Sequence, residues 1–245
     1  TLAISSAASD VYKRQLIMGF MGGLEPSIIL KTLSEGFGNT LKSIGIIIAG
    51  GSIIGIFLEK TKAAQAIAEK IVKIVGDSNS SLAMNLTGGI VSIPVFCDSG
   101  FVILSSLNNA INKKTKISLA VLGTSLAAGL YTTHVFVPPT PGPLAAASIL
   151  GANVGLVLLY GLVVAIPVSL VGWFWSIFYC SKFSIHQENE NEMSIKKENN
   201  EIPKTYKSIL PIIMPILLIT TKSIVEHPSI TINTPFVNNI ILFLG

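Results

Sequence analysis

Charge is the first thing this chain has little of. Asp, Glu, Lys and Arg make up 12% of its 245 residues, whereas a soluble domain carries about 25%. The charge it has is also clustered: windows 82–112 and 143–180 are almost free of it, while 182–207 is crowded. That excludes an ordinary soluble domain, and apolar runs of about 18 or more residues read as membrane spans. There are two cysteines, Cys97 and Cys180, both in apolar surroundings, too few for a disulfide framework. No basic patch interleaved with aromatics is present, which excludes nucleic-acid binding, so the net charge of +4 is read as membrane topology. The first residues lack the basic and apolar regions of a cleaved signal peptide. With no initiator Met and an apolar end at IILFLG, the chain is expected to be an internal piece. SAASDVYKRQ resembles translated adapter sequence, so residues 1–15 are expected to be non-native or unstructured.

What remains is an all-α polytopic membrane protein in outline. Residues 44–58, IGIIIAGGSIIGIFL, predict a helix that could begin earlier, through NTLKS; its Gly51 and Gly55 have the spacing that lets helices approach closely. Over 59–76, Ala64, Ile67, Ala68, Ile71 and Val75 fall on one helical face, and Lys62, Glu69, Lys70 and Lys73 occupy the rest. This predicts a helix lying along the membrane surface on the cytoplasmic side. A long span is expected over 154–180, a solvated cytoplasmic connector over 182–207, and the start of a second membrane repeat over 208–245, surfacing near EHPSITINTP and re-entering near Asn239.

Residues 82–112 pose a topological problem, because lysines flank both ends of one apolar stretch. A single span would put lysines on both sides of the membrane, against the positive-inside rule. A re-entrant hairpin removes the conflict. Its arms of about 11 or 12 residues would each cover about 17 Å, roughly half the hydrocarbon core. The tip is IPVFCDSG, with Pro94 and Gly100 marking where one helix stops and the next begins. Asp98 sits at that tip, and a mid-membrane aspartate costs on the order of 3 kcal/mol. It is read either as a cap for the second arm or as part of a wet site enclosed by protein.

A second break is expected within 117–150. Pro138, Pro139, Pro141 and Pro143 crowd the segment HVFVPPTPGP, where no regular helix is expected to survive. Two broken elements meeting in a membrane are the construction of secondary transporters, in which helix starts attract an anion and side chains carry the coupling ion. His134 titrates near neutrality and is a candidate proton carrier, or a structural residue at a helix end. The candidate substrate and proton site is Asp98, Ser99, Gly100, Thr133, His134, Thr140 and Gly142. No ligand spacing supports a metal site. Asp98 and His134 could instead be the acid and base of a membrane-embedded enzyme, but no nucleophile elbow, zinc motif or phosphate loop accompanies them. A channel is disfavoured because no filter repeat or charged ring is present.

Three blocks in order, GFGNTLKSIGIIIAGGSIIGIFLEKTKAAQAIAEKIV, IPVFCDSGFVIL and THVFVPPTPGPLAAASILGANVG, resemble the gluconate permease family of gluconate:proton symporters over about residues 16–180. The resemblance implies a bacterial inner-membrane importer of sugar acids or related hydroxycarboxylates, driven by protons. It also implies a fold of two inverted repeats with a hairpin in each, related to dicarboxylate and citrate transporters. A sodium-coupled carboxylate carrier is the runner-up. The partners implied are a small carboxylate, protons and the lipid bilayer; a homo-oligomer is left open, and no cofactor or metal is expected.

Overall fold

The structure is a computed structural model that describes residues 13–185 and 205–225. Expectations for 1–12, for most of the connector (186–204) and for 226–245 lie outside the described residues. Every regular element among the described residues is helical.

Helix α1 covers 13–21, so Lys13, Arg14 and Gln15 are helical despite the expectation for 1–15. The chain turns through Gly23, at φ +75°, into α2, Pro26–Lys60. The helix expected over 44–58 thus starts well before the apolar run. Apolarity reports which solvent a helix meets, not where it ends. The polar stretch before it is helical too, with Thr40 Oγ1 donating to the Gly36 carbonyl at 2.9 Å. The chain divides into two compact units within α2, after Ile46. In the first, Gly19 of α1 leaves room for the Ile29 side chain.

The second unit continues with α3 (Ala63–Val75), a short turn of helix (Asp77–Asn79), α4 (Ser80–Val91), α5 (Cys97–Thr115), α6 (Leu119–Phe136), α7 (Pro141–Leu150), α8 (Val154–Phe178) and α9 (Thr205–Val225). Among the described residues, three helical stretches are long and apolar enough to cross a membrane: Pro26–Lys60, Leu119–Leu150 counted through its break, and Val154–Lys182.

Helices α4, α6 and α8 pack through small residues, as membrane helices must when lipid offers no hydrophobic gain over protein. A β-carbon on Gly129 of α6 would run into the Asn85 carbonyl of α4, and one on Gly161 of α8 into the Phe136 carbonyl of α6. Polar side chains bridge the same three helices. Asn85, 1% exposed, donates to the Ser125 carbonyl at 3.0 Å and accepts from Ser169 Oγ at 2.7 Å. Ser125 and Ser176 hydroxyls pair at 2.6 Å, and Trp173 Nε1 donates to Ser81 at 3.1 Å.

The apolar face of α3 holds Ala64, Ile67 and Ala68, all buried, in a cluster with Met84, Leu104 and Ile212. That face therefore covers protein, from α4, α5 and α9, where the sequence pattern alone suggested lipid. The amphipathic period is the same for either apolar partner, so it could not tell them apart.

The segment 80–115 is a helix pair joined by a break, with arms of 12 and 19 residues. The second arm is longer than the half-membrane arm expected: at 1.5 Å per residue it rises about 28 Å. Its last turns carry Lys113 and Lys114 outward. The two ends of the pair meet, since Lys114 Nζ lies 2.6 Å from the Asp77 carboxylate just before α4. Residues Phe183 and Ile185, at the start of the connector, fold back onto the start of α6. Leu119 N–H donates to the Ile185 carbonyl at 2.8 Å, and the Ser118 hydroxyl donates to the Phe183 carbonyl.

Candidate functional site

Pro94 has no N–H and pushes Ile93 away from helical geometry, so α4 ends and the backbone is irregular over 92–96. Phe96 is extended (φ −60°, ψ 139°) and forms the N-cap of α5. The expected tip, 93–100, is therefore shorter: Cys97, Asp98, Ser99 and Gly100 already belong to the first turn of α5. Asp98 is exposed and makes no capping hydrogen bond, because the N-cap position is occupied by Phe96. It gains instead from the partial positive charge of the helix start. Cys97 Sγ lies 3.8 Å from Asp98 Oδ1.

The second break is also shorter than the proline content suggested. His134 remains in the last turn of α6, and the irregular segment is 137–140. Pro141 and Pro143 are helical, in the first turn of α7, where a missing N–H costs no intrahelical bond. Between them, Gly142 supplies the one N–H of those three positions. Thr140 is the N-cap, and its hydroxyl donates to the Val137 carbonyl at 2.7 Å. Val137 is fully buried against Leu158 and Ala165 of α8, which pins the break to the bundle.

The two breaks face each other. Pro94 and Phe96 from the first, and Pro139, Thr140 and Pro141 from the second, line one cavity of about 20 Å³. The Phe96 and His134 rings meet edge to face, with centroids 6.0 Å apart. Asp98 is near enough to His134 to act on it electrostatically. His134 Nδ1 is buried and has no hydrogen-bond partner among the described residues. Buried polar atoms are nearly always paired, so an unpaired imidazole nitrogen beside a break is a candidate for work on a ligand or proton.

The remaining candidates separate. Thr133 is buried and turned toward Gly89 of α4, and Gly100 is buried against Leu130 of α6. Both sit at helix contacts. Gly142 is exposed, with open space where a β-carbon would go. Ser99 is half-buried in the first turn of α5. Sequence reasoning overlooked Phe96, which packs on His134, and Tyr131, one turn before His134 and close to Cys97 and Asp98. An aromatic in an apolar run carries no signal of its own; only the packing of α5 on α6 reveals these two.

The profile described as "GntP family permease" matches residues 14–245. The chain is 38% identical over 244 residues to an "Uncharacterized permease" of Haemophilus influenzae, covering 94% of this chain and 50% of that protein. It is 31% identical over 228 residues to the "Gnt-II system L-idonate transporter" of Escherichia coli, covering 93% and 51%. It is 30% identical over 232 residues to a "Gluconate permease" of Zymomonas mobilis, covering 93% and 50%. The chain thus spans about half the length of these relatives. No solved structure matches.

Proposed function

The chain belongs to the GntP family of permeases, and from that premise we propose that its protein imports gluconate or a related sugar acid across the bacterial inner membrane, coupled to protons. The family is one of transporters, which sets aside the reading of Asp98 and His134 as an enzyme's acid and base. The observation that carries the proposal is the meeting of two helix breaks around Phe96 and His134. Irregular backbone at membrane depth is tolerated only where protein or a wet cavity satisfies it. Two such segments with helix starts at α5 and α7 make an anion site of the kind secondary transporters use.

On this reading the N–H groups at the start of α5 and that of Gly142 attract the substrate carboxylate. A charged Asp98 repels the same carboxylate. Protonating Asp98 removes that repulsion, so proton and anion bind cooperatively, and that coupling is what symport requires. His134 is the second proton candidate, able to pair with the substrate as a cation. A cavity of about 20 Å³ has room for about one water and none for a sugar acid, so the two breaks must part to admit substrate.

Topology belongs to the same proposal. The Asp77–Lys114 pair supports a hairpin that enters and leaves on one side, and the positive-inside rule makes that side cytoplasmic. The second half of an inverted repeat would begin with α9. The deciding assay is proton uptake by proteoliposomes on adding gluconate, with and without sodium. Gluconate-dependent proton entry in the absence of sodium is expected. Uptake that needs sodium and moves no proton would replace this reading with the sodium-coupled one.

A further inference from the structure

We infer that Gly55 of α2 is the seat of the hairpin tip, and through it a positioning residue for Asp98; the second part rests on the transport reading above. The pair Gly51 and Gly55 has the spacing of a helix–helix contact, yet what meets Gly55 is not a helix. A β-carbon at Gly55 would lie 3.1 Å from the Pro94 carbonyl oxygen and 3.6 Å from the Val95 Cα. Both neighbours are backbone, so neither can rotate aside as a side-chain end would. Val95 itself is 2% exposed and buried in one cluster with Leu58 of α2 and Cys97 of α5, with Ile54 packed against it. That clamps the tip against α2. Gly100 in turn lets α5 close on Leu130. The tip thus meets α2 at Gly55, and the start of α5 that follows it meets α6 at Gly100. Asp98 follows Val95 by one turn, in the first turn of α5, so any displacement of the Val95 backbone is carried to Asp98.

Gly50 provides the control, because a β-carbon there meets nothing within 4 Å. Both glycines lie in the same helix, so a change to Ala alters helix propensity equally at the two positions. The test uses the intact protein with every cysteine but Cys97 replaced, and compares Gly55→Ala, Gly55→Val and Gly50→Ala. Cys97 is 6% exposed, so its alkylation by a membrane-permeant maleimide reads the position of the tip directly. Gly55→Ala is expected to raise that rate roughly fivefold, through overpacking against a backbone, and to raise the gluconate KM more than it lowers the maximal rate. Gly50→Ala should leave Cys97 reactivity unchanged. If Gly55→Val does not accumulate, Gly55→Ala, whose overlap is smaller, decides the question. Unchanged Cys97 reactivity in Gly55→Ala overturns the seat, and so does an equal rise in Gly50→Ala. A rise with KM unmoved keeps the seat and overturns the positioning role. If the background protein moves no gluconate, the transport reading falls while the alkylation rates still decide the seat.

Discussion

At the start of α5, Asp98 sits where the helix offers unpaired N–H groups, exposed and, among the described residues, without a salt bridge. Its carboxylate is thus free to take part in charge chemistry, and a cap role would have required the position that Phe96 holds. Asp98→Asn mimics the protonated form. It is expected to keep or tighten gluconate binding while pH-driven accumulation falls roughly tenfold or more, the scale of a typical coupling free energy. Binding and uptake measured across pH check this; normal accumulation in Asp98→Asn would remove Asp98 from the coupling. His134→Gln should lose accumulation likewise only if the imidazole is the carrier. A different residue, Asn85, does structural work. Asn85→Ala leaves the Ser169 hydroxyl without its acceptor. The expected loss is about 1 kcal/mol, typical of interhelical hydrogen bonds in membranes, read by unfolding in detergent. No loss would show that the three-helix seam holds by shape alone.

Among the elements, α4 and α6 approach to backbone contact because Gly88 and Gly129 carry no side chain. Gly129→Ala puts a methyl on the Asn85 carbonyl and is expected to cost about 1–3 kcal/mol, seen as a lowered melting temperature of the purified protein. Gly142→Ala fills open space and should fold as the parent does. Comparing the two separates packing glycines from site glycines. A fall in gluconate uptake by Gly142→Ala at normal stability would place position 142 against the substrate path, since the substitution keeps the N–H and adds only a methyl; unchanged uptake would mean that the methyl meets no substrate. The shortness of both breaks has one cause: a proline disrupts the residues before it and is well tolerated in the first turn after it. Pro94 therefore ends α4 but leaves Cys97 free to start α5, and Pro141 begins α7 instead of preventing it.

For the whole molecule, the contacts at the ends of the helices carry the topological argument. Asp77 meets Lys114, and Phe183 and Ile185 meet the start of α6. Single cysteines at positions 62, 114 and 183 are expected to react with an impermeant maleimide only after the membrane is opened or inverted. Lys114→Cys should fold, because an exposed ion pair contributes about 0–1 kcal/mol. Strong labelling at 114 from outside intact cells would sink the one-sided hairpin.

Composition and charge placement were enough to determine the solvent. A chain this poor in charge buries helices in lipid, and lysines at both ends of one apolar stretch call for a hairpin. The prolines at 94, 138, 139 and 141 marked two breaks, and an aspartate beside one of them marked a candidate site. These are local signals, legible because a membrane penalises each unpaired backbone group and each charge where it stands. The sequence could not show that the two breaks touch, that Phe96 packs on His134, or that Gly55 receives the hairpin tip. Nor could it show that Asn85 of α4 bonds Ser125 of α6 and Ser169 of α8, or that α3 lays its apolar face on protein. Each of these depends on which helix lies beside which. Hydrophobic period and backbone propensity are blind to that choice, and only the close fit of glycine against backbone and donor against acceptor decides it.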